Sequence, residues 1–160
     1  MGLDAWVHCD CYDKGKVRTP PPKPDLISIS ETGEVVLEWN HPDADHDAFW
    51  KWRKIACEHG ESGELVAHSL GNIALIGFLR SLLNQQPNSF PILLGRVVCN
   101  GVHAGDFLSQ ADIDLVAVEL DRLKDVHAVQ PEYEDLVRIF ESQMRDIVNA
   151  ARSVGKPIVF

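Results

Sequence analysis

Leu3-Asp-Ala-Trp-Val-His-Cys9, close to the N-terminus, is the stretch of sequence on which the predicted fold depends. Every second residue from Leu3 onward is apolar or a thiol, and the positions between them carry Asp4, Trp6 and His8. Successive side chains of a β-strand point to opposite faces, so this alternation predicts a strand with one buried face. The chain is therefore expected to begin with a sheet.

A β-hairpin is predicted next along the chain. Residues 26–30 and 34–39 are rich in Ile, Val and Leu, and they flank the turn sequence Glu31-Thr-Gly33. The connector at 14–24 is rich in proline, which lacks the amide that the interior of a sheet requires. Residues 64–68 fit either a short strand or an extended lead-in to a helix, and residues 91–99 predict a further strand.

The remainder of the chain is predicted to be mainly helical. Four segments combine apolar residues at helical spacing with capping or terminating residues at their ends. They run from about Asp43 to Glu58, from Asn72 to about Gln86, from Ser109 to about Lys124, and from Pro131 to just before Gly155. The second segment is apolar on nearly every side, which predicts the central buried helix. The sequence thus predicts a single α+β domain over residues 1–160, with N-terminal strands and a hairpin forming a small sheet packed by about four helices.

Charge and composition narrow the classes of partner. The chain of 160 residues carries 15 basic and 24 acidic side chains, and its net charge is −9. Such a surface repels phosphate backbones and anionic lipids, so we expect no nucleic acid and no membrane as partners, whereas a basic protein is favoured. No targeting segment or long apolar stretch is visible, and we expect a cytoplasmic protein. Its oligomeric state is not predicted.

The loop Asn100-Gly-Val-His-Ala-Gly-Asp106 is the first candidate for chemistry. His103 lies between two glycines, and Asp106 follows it three residues later. A histidine can act as a base or a ligand near neutral pH, and a nearby carboxylate can orient its ring. An enzyme hypothesis therefore gives catalytic roles to His103 and Asp106. The alternative is a glycine turn in which Asp106 caps backbone amides and His103 is an ordinary surface residue.

The cysteines are the second candidate. Cys9 and Cys11 could hold zinc together with Cys57 and His59, or together with Cys99 and His103. Cys9 and Cys11 are separated by a single residue, as are Cys57 and His59, whereas zinc fingers and ribbons separate their paired cysteines by two to four residues. The spacing therefore predicts no metal and no other cofactor, and thiols packed in the core are the alternative. If zinc is nevertheless bound, the fallback ligands are Cys9, Cys11, Cys57 and His59.

An aromatic segment within the first predicted helix is the third candidate. Ala48, Trp52 and Ile55 form its inward stripe, which leaves Phe49 and Trp50 nearer the surface. Exposed rings beside carboxylates are typical of the centre and rim of a protein interface. The expected partner-binding residues are Asp43, Asp45, Asp47, Phe49 and Trp50. The alternative is that the hairpin covers these rings.

Several short stretches together resemble a family of small, uncharacterised bacterial proteins of about this length. They are the opening MGLDAWVHCDCYDKG, residues 19–22, 57–59, 68–72, 90–94 and 101–106, and the end from Gly155. That resemblance spans the chain and implies no function. In size and acidity the chain is also similar to immunity proteins of bacterial toxin systems.

Three functional hypotheses follow from these candidates. The first is a protein-binding protein, in particular an immunity protein that neutralises a basic toxin, and it uses residues 43–54. The second is a small hydrolase-like enzyme, with or without a metal, centred on His103 and Asp106. The third is a structural protein stabilised by zinc. The first is preferred from the sequence, and an enzyme is the less favoured alternative.

Overall fold

A computed structural model describes residues 2–38, 40–99, 106–128 and 131–160, apart from the side chain of residue 132. Its strands are β1 (Gly2–His8), β2 (Ile27–Ile29), β3 (Val35–Leu37), β4 (Glu64–Asn72), β5 (Phe107–Leu108) and β6 (Ile158–Val159). Its α-helices are α1 (Asp43–Ala56), α2 (Ile73–Leu83), α3 (Gln110–Leu123) and α4 (Pro131–Val154). The α+β class predicted from the sequence is confirmed.

The N-terminal strand lies inside a four-stranded antiparallel sheet with the order β4-β1-β6-β5. Leu3, Ala5 and Val7 are at most 1% exposed, as their alternation predicts. Residues 64–68, for which the sequence fitted either a strand or a lead-in to a helix, belong to β4, which pairs with β1 along its whole length. The C-terminal residues add β6 beside Trp6 in β1, so both ends of the chain meet in one sheet.

The helices pack against this sheet, and α4 is the most deeply placed. The side chains of Phe140, Met144 and Ile147 in α4 are fully buried. By contrast, α2 buries one side only: Ile76 and Leu79 are buried, whereas Ile73 is 52% exposed. The prediction that α2 is the central buried helix is therefore wrong. Apolar residues on the other sides of α2 make partly exposed contacts. The ring of Phe78, for example, stacks on the ring of Tyr133, and their centroids are 4.6 Å apart. Among the described residues no helix is both long and apolar enough to cross a lipid bilayer.

The segment after Pro91 is helical, so the predicted strand at 91–99 is wrong. Residues Leu93–Val97 form a π-helical turn. The buried carboxylate of Glu119 in α3 accepts the backbone amides of Ile92 and Leu93, both at 2.8 Å. A carboxylate at a helix N-terminus satisfies amides that have no partner within the helix. This tertiary contact comes from a distant part of the chain and overrides the local β preference.

Strands β2 and β3 form a separate two-stranded sheet that packs with α1. The predicted hairpin is confirmed, although it does not join the main sheet. The predicted inward stripe of α1 is wrong at one position, since Ile55 is 59% exposed while Phe49 is 3% exposed. A second, small cluster of buried apolar residues results. Its members are Leu37, Phe49, Trp52 and Ala56.

Candidate metal centre

Two short loops meet beside the small apolar cluster. The first loop follows β1 directly and begins at Cys9, and the second follows α1 and begins at Cys57, whose backbone is extended. The amide of Cys9 donates to the carbonyl of Gly63 at 2.8 Å, which ties the first loop to the second. Gly60 and Gly63 have positive φ angles of 69° and 64°, so the second loop can turn back towards β1.

Four side chains from these loops converge. The candidate ligand atoms of Cys9, Cys11, Cys57 and His59 all lie within 4.8 Å of one another. The Sγ atoms of Cys9 and Cys57 are 3.9 Å apart, and the Sγ atom of Cys11 lies 3.4 Å from Nδ1 of His59. We call these four residues the metal cluster. They are the fallback ligand set that the sequence analysis considered and that its spacing argument disfavoured.

Two separations within the metal cluster match those of a tetrahedral zinc site. With Zn–S bonds of about 2.3 Å and a Zn–N bond of about 2.0 Å, sulfur atoms lie about 3.8 Å apart and sulfur and nitrogen about 3.5 Å apart. The two measured distances, 3.9 Å and 3.4 Å, are close to these values. Three thiolates and one imidazole are also a common ligand set of structural zinc. The arrangement can therefore hold a metal ion.

The thiols of the metal cluster hold their protons tightly when no cation is bound. Burial is the main reason that the pKa of Cys11 is raised to about 12, and the adjacent Cys9 and Cys57 raise it further. Burial also raises the pKa of Cys9, although the backbone amide of Cys11 donates a hydrogen bond to its sulfur and opposes the shift. Crowded thiols resist ionisation together, whereas a bound divalent cation reverses this and holds them as thiolates.

The amide of Cys11 is the kind of outer contact that supports a metal ligand. Hydrogen bonds to a ligand atom fix its orientation and tune its basicity. Beside the cluster, His8 is 7% exposed, and burial lowers its pKa. The indole Nε1 of Trp6 donates to Nε2 of His8 at 3.2 Å, so that nitrogen is occupied as an acceptor. His8 thus borders the metal cluster without being one of its four ligands.

The space next to the metal cluster is small. The adjoining cavity has a volume of about 40 Å³, and the rings of Tyr12 and Trp52 form part of its wall. Pockets that bind small organic ligands usually measure about 300–1,000 Å³. A cavity of this size accommodates water and not an organic substrate, which favours a structural role for a metal held here.

Among the described residues, the other candidates for chemistry lie outside the metal cluster. His103 lies outside the described residues, and Asp106 is exposed with its carbonyl accepting the amide of Phe160 at 2.9 Å. His68 approaches Asp146 of α4, with Nε2 and Oδ2 3.3 Å apart. The catalytic hypothesis therefore stays a prediction.

The predicted partner-binding residues of α1 are only partly available. Asp43 and Asp47 are exposed, and Trp50 is 44% exposed. Asp45 pairs with Lys23 at 2.7 Å. Phe49 is buried, so its ring belongs to the small apolar cluster and not to a partner surface, as the alternative of covered rings anticipated.

Comparison of the chain with family models, curated proteins and solved structures finds no match. Ligand spacing did not indicate that these four residues converge, because the spacing rule is drawn from sites in which paired cysteines share one turn. A better signal in the sequence was that each ligand pair is soon followed by glycine, at Gly15 and at Gly60, and both glycines have positive φ angles.

Proposed function

We propose that this chain is a zinc-binding protein whose zinc has a structural role, held by Cys9, Cys11, Cys57 and His59. The observation that carries the proposal is the convergence of four ligand atoms within 4.8 Å of one another. Four protein ligands complete a tetrahedral shell, whereas catalytic zinc keeps one position open for water or substrate. The small adjoining cavity supports the same assignment.

Zinc at this position would join parts of the chain that are distant in sequence. The first ligand pair continues β1 of the main sheet, and the second pair continues α1, which carries most of the small apolar cluster. Zinc binding to folded ligands contributes directly to folding free energy. The function of the ion is then to fix α1 and the hairpin against the sheet. Because thiolate ligands persist in a reducing compartment, we also propose that the protein is cytoplasmic.

Elemental analysis of freshly purified protein tests the zinc proposal. We expect about one zinc per chain, because structural zinc sites bind tightly near neutral pH. The Cys57→Ser variant should lose this zinc, and the Cys99→Ser variant, which changes the one cysteine outside the metal cluster, should keep it. Metal-free wild-type protein that takes up no added zinc would refute the proposal, as would equal losses in the two variants.

A second candidate function is binding of a basic protein, such as a toxin neutralised by an immunity protein. The exposed ring of Trp50 favours this function, since 44% of the residue is exposed on α1. Asp47, one turn before it, is an exposed acid. The guanidinium of Arg53, one turn after it, lies 5.1 Å from the centroid of the Trp50 ring. Aromatic residues at an interface commonly contribute more than about 1 kcal/mol each. The net charge of the chain, −9, would attract a basic partner and speed association.

The binding proposal is tested with the Trp50→Ala variant and a matched control, Ile139→Ala, which removes a similarly exposed apolar side chain on α4. A basic protein recovered with immobilised wild-type protein is purified, and its dissociation rate is measured against each variant. We expect Trp50→Ala to dissociate at least about tenfold faster, with its melting temperature unchanged and with Ile139→Ala unaffected. Equal rates for all three proteins would place the contact elsewhere.

A further inference from the structure

The metal cluster also contains a pair of thiols positioned for a specific oxidation. We propose that Cys9 and Cys57 form a disulfide when the zinc-bound protein reacts with a peroxide, and that the zinc is released as the two loops stay joined. This inference rests on the proposed zinc function and extends it to a modification site.

The separation of the two sulfur atoms and their access to solvent support this pairing. The Sγ atoms of Cys9 and Cys57 are 3.9 Å apart and need to approach to about 2.05 Å in a disulfide. Cys9 is partly exposed, whereas Cys11 and Cys57 are buried. Of these three residues, Cys9 therefore offers the readiest access to an oxidant from solvent. Zinc holds the sulfur as a thiolate, which is the form that attacks a peroxide.

Cys57 is the better second partner because it lies on a different loop. A disulfide between Cys9 and Cys11 would close a ring across one intervening residue, where the required dihedral angles are hard to reach without strain. The loop that contains Cys57 is already held to Cys9 by the hydrogen bond from the Cys9 amide to Gly63. Joining Cys9 to Cys57 thus needs a small local movement of side chains.

A peroxide oxidises the two thiolates in two steps. The thiolate of Cys9 attacks one peroxide oxygen, breaks the O–O bond and becomes a sulfenic acid, with release of hydroxide. The thiolate of Cys57 then attacks the Cys9 sulfur, forms the S–S bond and displaces a second hydroxide. The two sulfur atoms lose two electrons in total, the peroxide gains them, and both hydroxides become water by taking up protons.

The oxidised protein keeps too few ligands for zinc. Only Cys11 and His59 remain from the metal cluster, and two ligands do not form a closed tetrahedral shell. The new bond connects the same two loops that zinc connected. We therefore expect the oxidised, metal-free protein to keep its fold, whereas the reduced, metal-free protein loosens around α1 and the hairpin.

The test treats zinc-loaded full-length protein with hydrogen peroxide in the presence of a chromophoric zinc chelator. We expect release of about one zinc per chain together with the loss of two thiols. Digestion without reduction, using a protease that cleaves before Asp10, separates Cys9 from Cys11 and identifies the linked peptides by mass. The Cys99→Ser variant is the matched control and should behave identically. Reductant with added zinc should restore the starting protein.

The outcomes separate this inference from the proposed function. A chain that binds no zinc before oxidation refutes the proposed function and this inference with it. A chain that binds zinc but keeps it after its thiols are oxidised refutes the inference alone. A linkage from Cys9 to Cys11, a linkage between chains through Cys99, or oxidation to sulfinic acid without a disulfide also refutes the inference alone.

Discussion

The described residues form two apolar clusters that are held together in different ways. The large one fills the space between the main sheet and the helices α2, α3 and α4, and many of its side chains have no exposed surface. The small one has four buried members between α1 and the hairpin. Burial of apolar surface contributes about 25 cal/mol per Å², so the large cluster can support its own structure. Small cores usually need a metal or a covalent link in addition.

Two buried cations form ion pairs beside the small cluster. Arg53 is 7% exposed, pairs with Glu34 of the hairpin at 2.7 Å and donates to the carbonyl of Ser62. Lys156 is 4% exposed, pairs with Asp13 at 2.7 Å and donates to a hairpin carbonyl. Buried ion pairs contribute little net stability but fix geometry. Specific polar contacts thus supplement the limited apolar packing of the small cluster.

The largest expected effect is a charge placed in the large cluster. Leu79 has no exposed surface, so Leu79→Asp leaves an unpaired carboxylate in an apolar interior and should cost several kcal/mol of unfolding free energy. The matched control is Ile73→Asp on the same helix, where the side chain is 52% exposed and an acid near the helix N-terminus is favourable. Urea unfolding measures both. Equal stability of Leu79→Asp and the wild-type protein would contradict the assigned core.

Removal of zinc should have a smaller and more local effect. The amides of Cys9, Lys16 and Arg18 donate to carbonyls of the two loops and of Ala56, so we expect their hydrogen exchange to accelerate at least about tenfold in chelator-treated protein. Amides of Phe140 and Met144 in α4 serve as the internal control and should change little. Uniform acceleration across both clusters would show that zinc supports the whole fold, and no acceleration at the loops would show that it supports neither.

The pH dependence of stability should differ in sign between the zinc-bound and metal-free proteins. In metal-free protein the pKa of Cys11 is raised from 9.0 to about 12, so the folded state retains a proton that the unfolded state loses. Its stabilising contribution is complete below about pH 9 and declines as the pH rises towards 12. In the zinc-bound protein the ligands are thiolates, and protonation on acidification releases the metal.

Melting temperatures measured at several pH values, with and without zinc, check this contrast. Metal-free Cys11→Ser is the control for the alkaline decline, because the variant lacks the thiol that titrates. An alkaline decline of the same size in that variant would assign the effect to other groups. A zinc-bound protein that keeps its metal and its stability in acid would contradict thiolate ligation.

Local patterns predicted most of the elements but not their contacts. The alternation from Leu3 to Cys9, the hairpin around Gly33 and the helix opened by Pro131 depend on neighbouring residues, and the structure has all three. The turn at 93–97 depends on Glu119 of α3, and a local pattern cannot show such a contact. Convergence of Cys9 with Cys57 likewise depends on how α1 packs against the main sheet. The sequence supplied the ligand set but not its geometry.

Ligation of zinc by the metal cluster is tested most directly by X-ray absorption at the zinc edge of the purified, zinc-loaded protein. We expect three sulfur neighbours at about 2.3 Å and one nitrogen neighbour at about 2.0–2.1 Å. Replacement of His59 by Ala should remove the nitrogen contribution and leave the sulfur shell. A zinc shell made only of oxygen and nitrogen would contradict the central claim that Cys9, Cys11, Cys57 and His59 hold the metal.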